Sequence, residues 1–309
     1  MQARFPALPS EQGLQWEHHP RYFYYCRCPQ CMLVFIAPIP FRLSNYYPET
    51  YHSIPTTIES LELVSIHERY KIEIVKCYIN NGRLLEIGPS YGSFTYLAKE
   101  VGFEVEAIEM SAPCCKFLNE VVGMRAINSI DPVHAMQYLE PYDVITLWHV
   151  IEHLPCAWSV LYAICEKIKP DGILVIASVN PKAFQFRILG RYWLHLDAPR
   201  HVMLIPTSLL INKIEPLRFK LEMLTMTDKG TQTCNKAGWT NFFLYKCTQR
   251  FSNKVLLSVL RLLLGQIQKM VRFVVAPIER TDGRGSAYTM VFRKINESNF
   301  TSFENITLP

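Results

Sequence analysis

The stretch "LLEIGPSYGSF", residues 84 to 94, decides how this sequence is interpreted. An apolar run that carries Glu86 breaks into a turn containing Gly88 and Gly92. Glycine at a tight turn lets the backbone approach a ligand closely, and a following helix can offer N–H groups to a carboxylate. The pattern therefore predicts a buried strand, a ligand-binding turn and a helix in direct succession.

From Ile58 onward, apolar segments of two different periods alternate, as expected when strands and helices take turns around a parallel sheet. The strand segments in the second half are almost wholly apolar, which predicts burial by helices on both faces of a doubly wound α/β sheet. Helices are predicted at 59–80, 93–101, 112–122 and 157–168, the last closed by "KPDG". Strands are predicted at 82–88, 103–109, 124–128, 142–149, 172–180, 217–226 and 286–294.

Composition limits the class of protein. With 309 residues, of which 49% are hydrophobic, the chain can bury one large core or two modest ones. The net charge is only +5, and the absence of a dense block of Lys and Arg argues against a nucleic-acid partner. The first twenty residues lack the features of a signal peptide, so we expect a cytoplasmic protein whose ten cysteines are mostly thiols.

The glycine spacing indicates the kind of ligand. Gly88 and Gly92 form G-x-x-x-G, whereas a dinucleotide fingerprint is G-x-G-x-x-G, so a nicotinamide-dependent dehydrogenase is disfavoured. Glu109 ends the second predicted strand, twenty-three positions after Glu86. An acid at that place can accept hydrogen bonds from both hydroxyls of a ribose. The sequence therefore predicts a nucleoside ligand that does not need a phosphate.

These motifs resemble those of the class I S-adenosylmethionine-dependent methyltransferases over residues 58 to 294. "LLEIGPSYGSF" is similar to the first motif, "AIEMS" to the acidic second motif, and "YDVITLWHVIEHL" to the fourth-strand motif. "HLDAPRHVMLIPTSLL" and "GRGSAYTMVFRK" resemble the branch that includes ubiquinone-biosynthesis O-methyltransferases and sugar C-methyltransferases. The resemblance implies a Rossmann-like sheet of about seven strands with an antiparallel last strand, S-adenosylmethionine as cofactor, and a small-molecule acceptor.

The same resemblance assigns the cofactor contacts. The methionine end falls to the residues of the first motif, which are Glu86, Gly88, Pro89, Ser90, Tyr91 and Gly92. The ribose falls to Glu109, next to Met110, and the cofactor sulfur to Trp148 and His149.

Ile130 and Asp131 follow the third strand, where the family usually contacts the adenine base. Asp131 also precedes Pro132, which makes it a good helix N-cap, and both roles fit the sequence.

Four histidines are candidate bases. Methyl transfer requires the acceptor to be held in line and, for a hydroxyl or an acidic C–H, a group that takes its proton. The candidates are His149, His153, His195 and His201. His201 in "PRHV" matches a histidine that recurs in the family and is our first choice as base or orienter, with a hydrogen bond to its own loop as the alternative. A protein that binds the cofactor without catalysis is the alternative at the level of function.

His149, Glu152 and His153 also match H-x-x-E-H, a zinc-protease signature. That signature needs both histidines on adjacent turns of one helix. Here the first histidine ends an apolar strand, and Pro155 comes too soon for a long helix. We therefore reject a metalloprotease.

The N-terminal region, residues 1–57, carries "CPQC" at Cys28 and Cys31, which is half of a zinc site. Related methyltransferases often begin with two such pairs, and the first pair is absent here. Cys26 and His18, with His19, could complete four ligands, and a degenerate ribbon without metal is the alternative. The predicted domains are thus 1–57, the methyltransferase domain 58–295 with a helical insertion at about 230–285, and a tail at 296–309.

Residues 253–278 read as an apolar helix that is punctuated by charged and amide side chains. These interruptions leave too few consecutive apolar residues for a membrane span. Covering the substrate or the core, a homodimer contact, and peripheral contact with a membrane surface all fit the pattern.

Overall fold

The structure, a computed structural model, describes residues 3–7, 23–48, 51–248, 271, 273–281 and 283–296. The chain forms two compact units, each assembled from separate segments. The sheet unit comprises Tyr47–Ala177, Leu210–Leu224 and Thr289–Pro309, and the accessory unit comprises Met1–Tyr46, Ser178–Leu209 and Thr225–Tyr288. The predicted linear boundaries at 57/58 and 295/296 remain a prediction.

The strands, in chain order, are β1 (Ala3–Ala7), β2 (Phe23–Arg27), β3 (Val34–Ile36), β4 (Gly82–Ile87), β5 (Phe103–Glu109), β6 (Arg125–Asn128), β7 (Tyr142–Trp148), β8 (Ile168–Val179), β9 (Met203–Leu204), β10 (Phe219–Thr225) and β11 (Ala287–Lys294). The α-helices are α1 (Ile58–Ser65), α2 (Arg69–Lys76), α3 (Ser93–Glu100), α4 (Ala112–Phe117), α5 (Pro132–Gln137), α6 (Ala157–Lys167), α7 (Phe184–Leu189), α8 (Thr207–Ile214) and α9 (Lys229–Thr248).

A seven-stranded sheet has the order β10-β11-β8-β7-β4-β5-β6. β4 pairs in parallel with β5 on one side and with β7 on the other, and the last strands run antiparallel. This confirms the predicted Rossmann-like fold. Because the chain moves outward from β4 in one direction and returns to β7 on its other side, the carboxyl ends of these two strands flank the switch point where such sheets bind ligands.

The central strands are buried along most of their length. Val144, Ile145 and Leu147 of β7 are fully buried, as is the run 173–176 of β8. Strands with nearly continuous apolar sequence must be covered on both faces, which the flanking helices provide. α1 begins at a capping box in which the side chain of Thr57 accepts the backbone N–H of Ser60, so the sequence itself marks the start of this helix.

Several element boundaries differ from the predictions. The helix predicted at 59–80 is broken into α1 and α2 by a 3₁₀ turn at Ile66–Glu68. The helix predicted at 112–122 ends as α4 and continues as a π-helical turn, Leu118–Val122. "KPDG" does not close α6 as a turn but lies within β8, whose first residue Ile168 pairs with Tyr142 ahead of a register shift.

The accessory unit contains a second sheet, of order β1-β2-β3-β9, which was not predicted. Its antiparallel pairing joins β3 to a strand about 170 residues later in the chain, with Val34 opposite Leu204. Tyr25 of β2 is fully buried, and its one hydroxyl proton is shared between the carbonyl oxygens of Leu196 and His201 in a bifurcated hydrogen bond. This hydrogen bond ties the loop before β9 to the N-terminal strands.

The apolar helix predicted at 253–278 lies mostly outside the described residues. Near its end, residues 273–279 are described and are helical. Among the helices that the structure describes, none combines the length and the apolar character needed to cross a membrane.

Candidate functional site

The turn between β4 and α3 forms the first part of the site. Gly88 and Gly92 have φ values of 70° and 88°, in the left-handed region that favours glycine. A Cβ added to Gly88 would lie 2.6 Å from Cγ2 of Val150, and one added to Gly92 would collide with Leu118. Both positions therefore require glycine for backbone conformation and for space, and their approach to a ligand stays a prediction.

Glu109 anchors this turn from the end of β5. The residue is 4% exposed, its Oε2 accepts the backbone N–H of Ser90 at 2.9 Å, and its Oε1 accepts that of Ser111 at 2.7 Å. Burial raises the pKa of Glu109, while the backbone N–H donors act against that rise. Each carboxylate oxygen keeps a second lone pair, so the side chain can still accept bonds from ligand hydroxyls.

The carboxyl group of Glu86, on β4, lies on the same face of the sheet as Thr146 and Trp148 of β7. Its Oε2 is buried and has no hydrogen-bond partner among the described residues. Glu86 pairs in register with Thr146, and Trp148 lies two residues further on, so the three side chains share one face. Thr146 Oγ1 and Trp148 Nε1 are likewise buried without a partner in the described part of the chain. Such unsatisfied atoms at one place indicate a ligand site.

Burial raises the pKa of Glu86 to about 8, with nearby Lys71 acting against the rise. The carboxyl group is therefore largely protonated at neutral pH without a ligand. A cationic group bound beside it would favour the ionised form. Glu86 thus fits the ammonium group of an amino-acid ligand.

The residues predicted to contact adenine lie at the end of β6. Asp131 caps α5, since its Oδ1 accepts the backbone N–H groups of Val133 and His134 at 3.0 and 3.1 Å. Ile130 is 84% exposed and Met110 is 41% exposed. These apolar side chains offer surfaces for a flat base, and the adenine contact remains a prediction.

The segment after β7 holds His149 and His153 in different settings. His149 has a φ of 57°, its N–H donates to Ala177 at 2.9 Å, and its Nδ1 lies 3.4 Å from Oε1 of Glu152. Only a single 3₁₀ turn, Ile151–His153, follows. The two histidines are therefore not on adjacent turns of one helix, which excludes the metalloprotease geometry.

His201 and His195 lie in the accessory unit. His201 is 9% exposed, and its Nδ1 lies 2.8 Å from the carbonyl oxygen of His195. A carbonyl only accepts, so Nδ1 carries the proton, and a neutral ring then has its lone pair on Nε2, 4.0 Å from Oδ2 of Asp197. His195 Nε2 lies 3.0 Å from the carbonyl oxygen of Cys234. The structure thus places the predicted cofactor residues in one unit and the preferred base in the other.

Sequence reasoning missed three residues of the sheet unit. Nδ1 of His52 lies 2.8 Å from Oγ of Ser90, in the glycine turn. The Tyr47 hydroxyl lies 2.9 Å from Nδ1 of His153, and the ring of Tyr51 lies between Tyr47 and His52. The available signal was the cluster of aromatic and histidine residues in "YYPETYH", directly before α1.

The N-terminal cysteines give an incomplete metal site. Cys28 and Cys31 lie at the turn after β2, where backbone N–H groups of Cys31 and Gln30 lower the pKa of Cys28. Cys26 is buried within β2, and in the described part of the chain the three sulfur atoms do not gather within 4.8 Å of one another. His18 lies outside the described residues. Two cysteines alone do not provide the four ligands of structural zinc, so zinc here stays a prediction.

Comparison with known proteins agrees with this geometry. The family described as "Methyltransferase domain" matches residues 69–211. The ubiquinone biosynthesis O-methyltransferase of Aeromonas salmonicida is 28% identical over 132 residues, which are 38% of this chain and 52% of that protein. The enzyme of the same description from a Shewanella species is 25% identical over 52% of this chain and 70% of its own length. The chain thus spans about half the length of the first of these relatives and 70% of the second.

Among solved structures, a SAM-dependent methyltransferase from Archaeoglobus fulgidus matches with a TM-score of 0.48 and 18% identity, over 76% of this chain and 94% of its own. The sheet order is that of a Rossmann-like domain, and the glycine turn lies at its ligand-binding edge. Over residues 69–211, slightly less than half of the chain, the sequence matches the methyltransferase domain family, which agrees with this fold.

Proposed function

We propose that this protein transfers the methyl group of S-adenosylmethionine to an oxygen or carbon atom of a small molecule. One observation carries the proposal. Two buried carboxyl groups, Glu86 and Glu109, end neighbouring parallel strands on either side of a turn whose two glycines have positive φ. One carboxyl is held by backbone N–H groups, and the other has an unpartnered oxygen among the described residues.

The residues present fit this cofactor. Glu86 would accept a bond from its ammonium group, and Glu109 would accept bonds from its ribose hydroxyls. When bound, S-adenosylmethionine supplies a methyl group that is already activated by the sulfonium. The protein has to orient the acceptor, exclude water and take up a proton where the acceptor carries one.

His201 is the proposed proton acceptor. Its Nδ1–H is bonded to the carbonyl oxygen of His195, which fixes the ring orientation and leaves Nε2 as the basic atom. His149 and His153 remain the alternatives, because they follow β7 at the ligand edge of the sheet.

The proposal also includes a cytoplasmic location and a role for residues 253–278 in covering the substrate or core, in a dimer contact or in contact with a membrane surface. Nine of the ten cysteines are free thiols in the described part of the chain, which supports a reducing compartment. Sedimentation of the protein, alone and with anionic vesicles, separates the three roles. A dimer contact predicts a concentration-dependent dimer, membrane contact predicts co-sedimentation with vesicles, and covering of the substrate or core predicts neither.

Two measurements test the function in sequence. Calorimetry should show that S-adenosylhomocysteine binds the wild-type protein, and the melting temperature should rise with ligand concentration. Mass spectrometry of a metabolite extract incubated with the protein and isotopically labelled S-adenosylmethionine should then reveal an acceptor that gains the labelled methyl group. Binding without any labelled product would favour a catalytically inactive cofactor-binding protein. No binding would refute the proposal.

A further inference from the structure

Four rings of the sheet unit form a continuous series. The ring centroids of His52 and Tyr51 lie 4.7 Å apart, those of Tyr51 and Tyr47 lie 5.3 Å apart, and those of Tyr47 and His153 lie 6.1 Å apart. All three contacts are edge-to-face, which is a favoured geometry for aromatic pairs. We call Tyr47, Tyr51, His52 and His153 the aromatic wall.

Hydrogen bonds attach the aromatic wall to two different strand ends. His52 contacts Ser90 in the turn after β4, and Tyr47 contacts His153 in the turn after β7. Since β4 and β7 are adjacent in the sheet, the aromatic wall spans their carboxyl ends. The open atoms of Glu86, Thr146 and Trp148 belong to these same two strands.

Ser90 links the wall to the cofactor residues. Its backbone N–H donates to Glu109, while its Oγ lies 2.8 Å from Nδ1 of His52. Burial lowers the pKa of His52, so the ring is neutral at neutral pH and carries one N–H. When the Ser90 hydroxyl donates to Nδ1, the single N–H of the His52 ring is on Nε2. This Nε2–H has no partner among the described residues.

We propose that the aromatic wall closes the methyl-donor site and that His52 donates a hydrogen bond from Nε2 to the carboxylate of the bound cofactor. The inference rests on the proposed function. It gives the amino-acid end of the cofactor two complementary contacts, with Glu86 for the ammonium group and His52 for the carboxylate. Ser90 is then a positioning residue, because its hydroxyl holds Nδ1 and so orients the ring of His52.

Two ligands separate this role from a merely structural one. S-adenosylhomocysteine carries the carboxylate, whereas 5′-methylthioadenosine keeps the nucleoside and sulfur and lacks the amino-acid end. In calorimetry, His52→Asn should raise the Kd of S-adenosylhomocysteine about tenfold or more, the loss expected for a hydrogen bond to a charged group. The Kd of methylthioadenosine should stay within about twofold of the wild-type value, since it makes no such bond. His67→Asn changes an exposed histidine of the same unit and is the matched control.

The Ser90 hydroxyl supplies a second arm. Ser90→Ala keeps the backbone hydrogen bond to Glu109 and removes the partner of His52 Nδ1. It should therefore weaken the binding of S-adenosylhomocysteine and leave the binding of methylthioadenosine unchanged. In the double variant with His52→Asn, the losses of affinity should be less than additive, because the two substitutions disrupt the same interaction.

Equal losses for both ligands in His52→Asn, or no loss for either, would overturn the assignment of His52. Wild-type protein that binds neither ligand would refute the proposed function together with this inference, whereas normal wild-type binding with insensitive variants refutes the inference alone.

Discussion

The sheet unit and the accessory unit hold their polar residues in different ways. In the sheet unit, Glu86 keeps an oxygen without a partner among the described residues, and Glu109 is held by backbone N–H groups. In the accessory unit, Asp197 binds Arg200 through both of its oxygens, at 2.6 and 2.9 Å, and His201 is bonded to a backbone carbonyl. In the sheet unit an open carboxylate oxygen thus lies beside the proposed cofactor turn, whereas Asp197 and His201 hold their own loop in place.

The two units also have different proposed roles: the sheet unit holds the proposed cofactor residues, and the accessory unit holds the proposed base. The proposed cofactor site depends on local geometry, since a strand end, a glycine turn and a helix start are consecutive in the chain. The accessory unit also has buried polar atoms without a partner among the described residues, on Gln185, Trp193 and Ser286. None of these was predicted as a site residue, because no short motif marks them.

The largest expected effect tests whether catalysis depends on the accessory unit. His201→Ala should lower turnover by roughly two to four orders of magnitude, the share that general acid–base catalysis usually contributes. The affinity for S-adenosylhomocysteine should stay near the wild-type value, because the proposed cofactor residues belong to the sheet unit. Turnover with the identified acceptor and calorimetry measure the two effects, and His134→Ala, an exposed histidine, is the control.

Undiminished turnover in His201→Ala would show that His201 only braces its loop. Loss of cofactor affinity in the same variant would also contradict the assignment, and His149 or His153 would replace it as base.

The second largest effect tests the proposed ribose contact of Glu109 in the sheet unit. Glu109→Ala should raise the Kd of S-adenosylhomocysteine by about a hundredfold, because two hydrogen bonds to a carboxylate are lost. The turn also loses its anchor at Ser90 and Ser111, which adds to the loss. Glu104→Ala removes an exposed acid from the same strand and should leave the Kd unchanged. Equal affinities in calorimetry of the two variants would remove Glu109 from the ribose site.

The same contrast explains what could be predicted from the sequence. Strand 103–109 agrees with β5 residue for residue, because its buried and exposed positions are local properties of the chain. The glycine positions were readable for the same reason. The sheet of the accessory unit was not, since β3 pairs with β9 across about 170 residues. The contact between His52 and Ser90 joins residues 38 positions apart, and no local period predicts it.

A smaller effect should appear in the pH dependence of stability. The pKa of Glu86 rises from its ordinary value of 4.5 to about 8 in the folded protein. The folded chain therefore binds this proton more tightly than the unfolded chain, so its stability falls as pH rises from about 4.5 to about 8.

Glu86→Gln removes this titration and should stabilise the ligand-free protein near pH 8 by on the order of 3 kcal/mol relative to wild type. The gain should shrink toward pH 5, where the wild-type carboxyl is protonated in the folded state. Thermal unfolding at the two pH values measures the difference. A gain that does not depend on pH would show that Glu86 is ionised in the folded protein.

The smallest effect tests whether polar groups in the accessory unit are structural. Gln185 donates from Nε2 to Asn235 and Glu279, and its Oε1 occupies the space that a Cβ on Gly238 would need. Gly238→Ala should therefore displace the amide and destabilise the protein by about 1 kcal/mol, since the cost of overpacking exceeds the gain in helix propensity.

The sign of this effect should reverse when the amide is absent. In a Gln185→Ala background, the added methyl group has room, and Gly238→Ala should become stabilising through helix propensity alone. Thermal unfolding of the four variants in this cycle measures the coupling. Affinity for S-adenosylhomocysteine should not change in any of them, because the proposed cofactor residues belong to the sheet unit. A stabilising Gly238→Ala in the wild-type background would mean that the Gln185 amide moves aside at little cost, and that its bonds to Asn235 and Glu279 do not hold this part of the accessory unit.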